Sequence, residues 1–198
     1  LFRQIDADPS LDDTYVVAAK SAGLDDRQIG KVIELSLGYL GGAGAFNSMA
    51  KNYGVNLPLY QVEMIIDRWR IANRWAVKFG AQVERAAMLA IRNSPATFPA
   101  GLVSYTFDPD TLGGALLCRL PCGTQLVYAH ARVEKNKYGF GVTAMKANIV
   151  PKADDKEWPR YSLWKGLLLE NITQAFCASL LRDLLTRLDD VILHCHDE

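Results

Sequence analysis

The 198 residues show no excess of either charge: Lys and Arg together number 22, and so do Asp and Glu. Overall electrostatics therefore gives no reason to expect a polyanionic partner, although a local basic groove can sit on a neutral protein. No apolar run approaches the length of a membrane span, so no membrane partner is expected. Residues 1–13 do not pair a basic start with an apolar stretch, so they carry no secretory signal pattern. Cysteine is scarce. Of Cys118, Cys122, Cys177 and Cys195 only the first two are close, and one such pair without a second is not the spacing of a structural zinc site. Reduced, buried thiols in a cytoplasmic protein are the expectation. Internal repeats and low-complexity tracts are also lacking. What remains is an ordinary globular composition, long enough for one domain or two small lobes.

The pattern changes along the chain, and the fold class it predicts is α+β. Asp12 and Asp13 can begin a helix through Ala18 and Ala19 that Gly23 ends, and Asp25 and Asp26 precede a second helix from about Arg27 to Leu40. Gly41, Gly42 and Gly44 break it. A third helix begins after Pro58 with an apolar stripe at Val62, Ile65, Ile66 and Trp69, and it continues, broken near Asn73, to Ile91. Between Ser94 and Tyr161 short β-prone runs take over. Ala115–Leu120 and Thr124–Ala129 flank Pro121-Cys122-Gly123 as a hairpin, and 142–150 is a further strand. Residues 164–188 return to helix, with Leu169, Ile172, Phe176, Leu180, Leu181, Leu184 and Leu188 on one side. A turn at Asp189-Asp190 leads to a last strand, Val191 to Cys195. That strand stops at a charged cluster without a turn or return strand, and the chain opens on Leu1, so a partial sequence is expected.

Two places concentrate chemistry. Arg27 and Lys31 stand four apart, which puts two cations on one helix face about 6 Å apart along the axis. That spacing suits successive phosphates of a triphosphate, with a planar fork at Arg27 and a mobile point charge at Lys31. Tyr39, two turns further along, offers a ring as a floor beneath a base. The plainer alternative is a solvated face with Lys31 paired to Glu34. The second place is the carboxy end, where His194, His196, Asp197 and Glu198 follow an apolar run. His194 and His196, at i and i+2, face one way and are open to a zinc reading or to simple packing in a sheet.

The run from Arg27 through Lys31 to Gly38-Tyr39 resembles motif B of family-A DNA polymerases, in the form found in phage and prophage enzymes. Asp13-Thr14-Tyr15 is similar to the family's Asp-x-His or Asp-x-Tyr, and Trp69-Arg70-Ile71-Ala72-Asn73 to its Trp-Arg-x-x-Asn. Arg119-Leu120-Pro121-Cys122-Gly123 resembles an Arg-Leu-Pro-Ser-Gly turn, read as structural. Glu170-Asn171-Ile172-Thr173-Gln174 resembles a phage-type Glu-Asn-Ile-Thr-Gln segment, and His196-Asp197-Glu198 resembles motif C. The departures are Leu40 where Gly is usual, Leu35 where many relatives carry Phe or Tyr, and Leu163 to Leu167 in place of Thr-Tyr-Gly-Gly-Lys.

The resemblance implies template-directed DNA synthesis by transfer of a nucleotide from a dNTP to a primer 3′-OH. It implies primer-template DNA and dNTP as partners, two Mg²⁺ ions as cofactors, and the cytoplasm of a bacterial host as the place of action. It further implies nucleotide binding by Arg27, Lys31, Tyr39, Tyr15 and Leu35. Asn171 and Gln174 become the DNA contacts, Asp197 the metal ligand, and Asp197, Glu198, His196 and Lys31 the groups around the reaction. Residues 1–93 then correspond to the fingers and 94–198 to part of the palm. The other metal-binding Asp would precede Leu1, in a remainder of the polymerase chain, so the chain alone is expected to be inactive. A single-subunit RNA polymerase, a non-catalytic nucleic-acid-binding module and a zinc hydrolase using His194 and His196 are the alternatives.

Overall fold

The computed structural model describes residues 8, 11–136, 139–146 and 159–188. Among them are six helices and two small antiparallel sheets, the α+β class expected from the pattern. The chain divides into two compact units, Leu1–Gly80 and Ala81–Glu198.

The first unit is helical. Helix α1 (Thr14–Ser21) starts where Asp13 turns its carboxylate onto the backbone N–H groups of Tyr15 and Val16, at 3.0 and 2.9 Å. Such a cap satisfies donors that a helix start leaves without partners. Helix α2 (Arg27–Leu37) is capped in the same way by Asp26, whose side chain accepts from Gln28 N–H at 2.7 Å. Its inward face is Ile29, Val32, Ile33 and Leu37, buried at helical spacing. Helix α2 ends at Leu37, three residues short of the predicted end, because Gly38 to Leu40 form a turn and Leu40 takes a left-handed φ of 62°.

A helix follows that the pattern did not suggest. Helix α3 (Ala43–Asn52) begins directly after Gly41 and Gly42, with Gly42 as its N-cap and Gly44 in its first turn. The three glycines mark a helix start as well as a helix stop, and Phe46 and Ala50, one turn apart, bury its inner face. Helix α4 (Leu59–Ala72) follows Pro58 and buries the expected Val62, Ile65, Ile66 and Trp69. Asn73 ends it by folding its amide back onto the Trp69 carbonyl at 3.0 Å, and helix α5 (Arg74–Arg92) resumes at once. The expected break near Asn73 is thus a side-chain cap.

In the second unit, strands β1 (Phe98–Ala100), β2 (Val103–Asp108), β3 (Ala115–Arg119) and β4 (Gln125–Tyr128) form one sheet in sequence order. The predicted hairpin is β3–β4, closed by bonds between Leu120 and Thr124 and from Gly123 to Leu120. Strands β5 (Arg132–Asn136), β6 (Gly139–Met145) and β7 (Arg160–Ser162) form the other sheet. Strand β6 carries the described part of the predicted 142–150 strand and starts earlier, at Gly139. Helix α6 (Lys165–Arg187) takes a carboxylate from another element at its start: Glu84 Oε1 accepts from Lys165 N–H at 3.2 Å.

Helix α6 buries only part of its predicted apolar side. Leu169 and Ile172 are inside, with Leu168 beside them, but Phe176, Leu180, Leu181, Leu184 and Leu188 are exposed. The predicted last strand, Val191 to Cys195, lies outside the described residues.

Candidate functional site

The seam between α1 and α2 is where the predicted cations meet other predicted residues. A Cβ added to Gly30 would lie 1.8 Å from the Tyr15 carbonyl oxygen, so the two helices touch backbone to backbone there. Only glycine permits that approach. The consequence is positional. Tyr15, at the start of α1, is laid beside the first turns of α2, with its ring centroid 5.1 Å from Arg27 Cζ and 5.8 Å from Lys31 Nζ. Both distances fall within the reach of a cation–π contact. Asp13 completes the group, its Oδ2 accepting from Arg27 Nε at 2.6 Å while its Oδ1 caps α1. These bonds, first the one from Val16 N–H and then the one from Arg27, hold the Asp13 carboxyl below the usual carboxylate range.

Lys31 does not pair with Glu34. Its ammonium instead lies 4.9 Å from the ring of Tyr53, on the side of the site built by α3. Tyr53 is the C-cap residue of α3, fixed by its N–H to Ala50 and Lys51 carbonyls. Sequence reasoning missed it because α3 itself was missed. The signal was present in Phe46 and Ala50 one turn apart, followed by Tyr53-Gly54, an ordinary helix stop. Asp13, Tyr15, Arg27, Lys31 and Tyr53 are therefore one cluster of two cations, two rings and one carboxylate.

Tyr39 and Leu35 stand differently from Lys31. Tyr39 is half-buried in the turn beyond α2, not on the helix itself, because the helix stops at Leu37. Leu35 is on α2 and exposed.

In the second unit, Asn171 and Gln174 share a stretch of α6 but have separate commitments. Asn171 Nδ2 donates to Tyr128 Oη at 3.1 Å, and Gln174 Nε2 donates to Glu170 Oε1 at 3.2 Å. Asn171 and Tyr128 border an open cavity of about 620 Å³ that Lys146 and Tyr161 also line. Burial pushes the Tyr128 phenol above its ordinary range, so it stays a neutral hydroxyl.

The thiols are not uniformly buried as expected. Cys118 is, and burial raises it to about 11, but Cys122 and Cys177 are exposed. Cys122 sits in the β3–β4 turn, where hydrogen bonds from Ser179 and Thr124 lower it to about 7. Arg119 is exposed at the end of β3 beside that turn.

His194, His196, Asp197 and Glu198 lie outside the described residues. Among the described residues no three His, Cys, Asp or Glu side chains gather as a metal would require. The cluster around Lys31 offers cations, rings and a single carboxylate already engaged by Arg27 and the α1 cap, a poor donor set for Mg²⁺, which takes several oxygen ligands. It is suited to anionic groups instead.

Among curated proteins, a DNA polymerase of Bacillus phage SP02 is 36% identical over 179 residues, which is 87% of this chain. The chain spans about a quarter of that protein's length, 26%. No family model matches the sequence, and no solved structure matches it. No helix among the described residues is long and apolar enough to cross a membrane.

Proposed function

We propose that this chain carries the nucleotide-gripping part of a template-directed DNA polymerase of the phage, family-A type, with Arg27 and Lys31 meeting the phosphates of a dNTP. The observation that carries this reading is the meeting of Tyr15 with the Arg27–Lys31 pair, singled out from two different stretches of sequence, at the α1–α2 seam. Similarity to a phage DNA polymerase over most of the chain supports it.

The residues divide the work by their chemistry. Asp13 takes Arg27 by Nε, which leaves the terminal nitrogens of the guanidinium to face a phosphate as a fork. Lys31, one turn along α2, supplies a second charge for the neighbouring phosphate. Tyr15 lies beneath both cations and fixes their heights. In this reading Tyr39 floors the base, Leu35 borders the sugar, and Asn171 and Gln174 contact the primer-template duplex. Mg²⁺, held by Asp197 with Glu198 and His196 near it, would neutralise charge on the reacting phosphates when bound.

Binding of dATP and of inorganic triphosphate by the chain, followed by calorimetric titration, tests the reading. A charge-assisted phosphate contact contributes about 1.5–3 kcal/mol, so Lys31→Ala is expected to weaken binding about 10- to 150-fold. In a complete polymerase carrying the same change, kcat/KM for dNTP falls by at least as much while the Kd for primer-template stays near its original value. Equal losses in both would contradict the assignment.

A further inference from the structure

We infer that Tyr53 is a positioning residue for the Lys31 ammonium, and so part of the same phosphate-binding site. The inference rests on the nucleotide reading of Lys31. Three observations support it.

The first is geometry. Lys31 Nζ lies 4.9 Å from the Tyr53 ring and 5.8 Å from the Tyr15 ring, so the one charge has an aromatic neighbour on each of two elements. Tyr53 is the nearer of the two. The second is anchoring. Tyr53 is half-buried at the C-cap of α3, and its backbone N–H is bound to the last carbonyls of that helix. Helix α3 in turn packs on α2. The ring is therefore held by the same core that holds Lys31. The third is that, among the described residues, no carboxylate forms an ion pair with Lys31. Glu34, one turn away on α2, forms no ion pair with it, whereas Arg27 is tied to Asp13 at 2.6 Å. The two cations share the Tyr15 ring but differ in their second neighbour: Arg27 has the Asp13 carboxylate, Lys31 the Tyr53 ring.

That difference has a physical reason. A carboxylate on an ammonium competes directly with an incoming phosphate for the same three donors. A ring face attracts the charge through its quadrupole but takes none of the hydrogen-bonding positions in the way an anion does. It narrows the rotamers of a long, flexible side chain before the ligand arrives, and less ordering remains to be done on binding. Arg27 tolerates a carboxylate because its fork has donors to spare.

The test is a double-mutant cycle on triphosphate affinity, read by titration with dATP and with inorganic triphosphate. Tyr53→Leu is expected to weaken binding about 2- to 5-fold, the range of an exposed cation–π contact. Tyr53→Phe keeps the ring and is expected to bind as the unmodified chain does. In a Lys31→Ala background the effect of Tyr53→Leu is expected to vanish, since the ring has no ammonium left to position. Circular dichroism melts of each variant establish that α3 is retained, and Tyr53→Phe serves as the folded comparison if Tyr53→Leu is not. A separate reading comes from proton NMR, in which the Lys31 ε-methylene resonance shifts downfield when the ring is removed. Lys31-dependent binding that is indifferent to Tyr53→Leu, or a loss that persists without Lys31, overturns the inference alone. Absence of any Lys31-dependent binding in the unmodified chain overturns the nucleotide reading itself, and the NMR shift then reports whether the ring contact exists independently of it.

Discussion

Leu40 occupies a backbone position that favours glycine, with φ 62°, yet it is 5% exposed. A left-handed conformation costs an ordinary residue about 1–2 kcal/mol, while removing a buried leucine side chain costs about 2–5 kcal/mol. The second term is larger. Leu40→Gly is therefore expected to destabilise by about 1–3 kcal/mol despite relieving the backbone, measurable by denaturant unfolding. A gain in stability would show that the strain outweighs the burial. The departure at Leu40 was legible in the sequence, but its conformation was not, because φ is set by the tight path from Leu37 into α3. Asp13 makes a second prediction. Its folded pKa is depressed, so its contribution is complete at any pH above the ordinary carboxylate value, about 3.9. That contribution is lost as pH falls through the lower folded value. Asp13→Asn keeps an oxygen for the α1 cap but gives up the charge on Arg27. The melting temperature of the variant is expected to fall less steeply with acid than that of the unmodified chain, with the two curves running parallel above neutral pH.

Between elements, what decides the site is the α1–α2 contact. A methyl at Gly30 would stand 1.8 Å from a backbone oxygen and 3.2 Å from Ala19 Cβ, so neither neighbour can yield without moving α1. Gly30→Ala is expected to cost about 1–3 kcal/mol as overpacking and to carry Tyr15 away from both cations. Triphosphate affinity and the melting temperature should then fall together. Retention of either one would mean that the helices part without disturbing the site. The elements themselves were largely readable. Helix starts at Asp13 and Asp26, the α4 stripe, the break at Asn73 and the β3–β4 hairpin all follow from local side-chain chemistry. Helix α3 was hidden because glycines around its start look like a loop, and its formation depends on Phe46 finding a core supplied by other elements. The end of α2 was overrun for a related reason: Tyr39 and Leu40 continue an apolar pattern, but the backbone has already turned. The outer half of α6 shows the converse limit. Leu180, Leu184 and Leu188 obey a helical period without being buried against any described element.

At the scale of the whole molecule the two units have cores of different kinds. One is built from helix faces around Val32, Ile33, Phe46 and Ile65, and the other centres on strands through Tyr105, Leu116 and Val142. Separate cores need not melt together, so calorimetry is expected to give a heat of unfolding larger than the van't Hoff value, the sign of more than one transition. Gly30→Ala should lower one transition and leave the other in place, and a single transition that shifts as a whole would show the units to be cooperative. Charge balance at this scale gave no sign of an anionic ligand, since 22 cations face 22 anions over the chain. The anionic ligand proposed above rests instead on the local pairing of Arg27 and Lys31, which an average over the chain erases. The Gly30 seam also has a genetic meaning. Every missense change of a glycine codon adds at least a Cβ, so no allele at this codon is conservative. Chains carrying such alleles are expected to melt at a lower temperature than the unmodified chain, while an antibody raised against the strand unit still detects them.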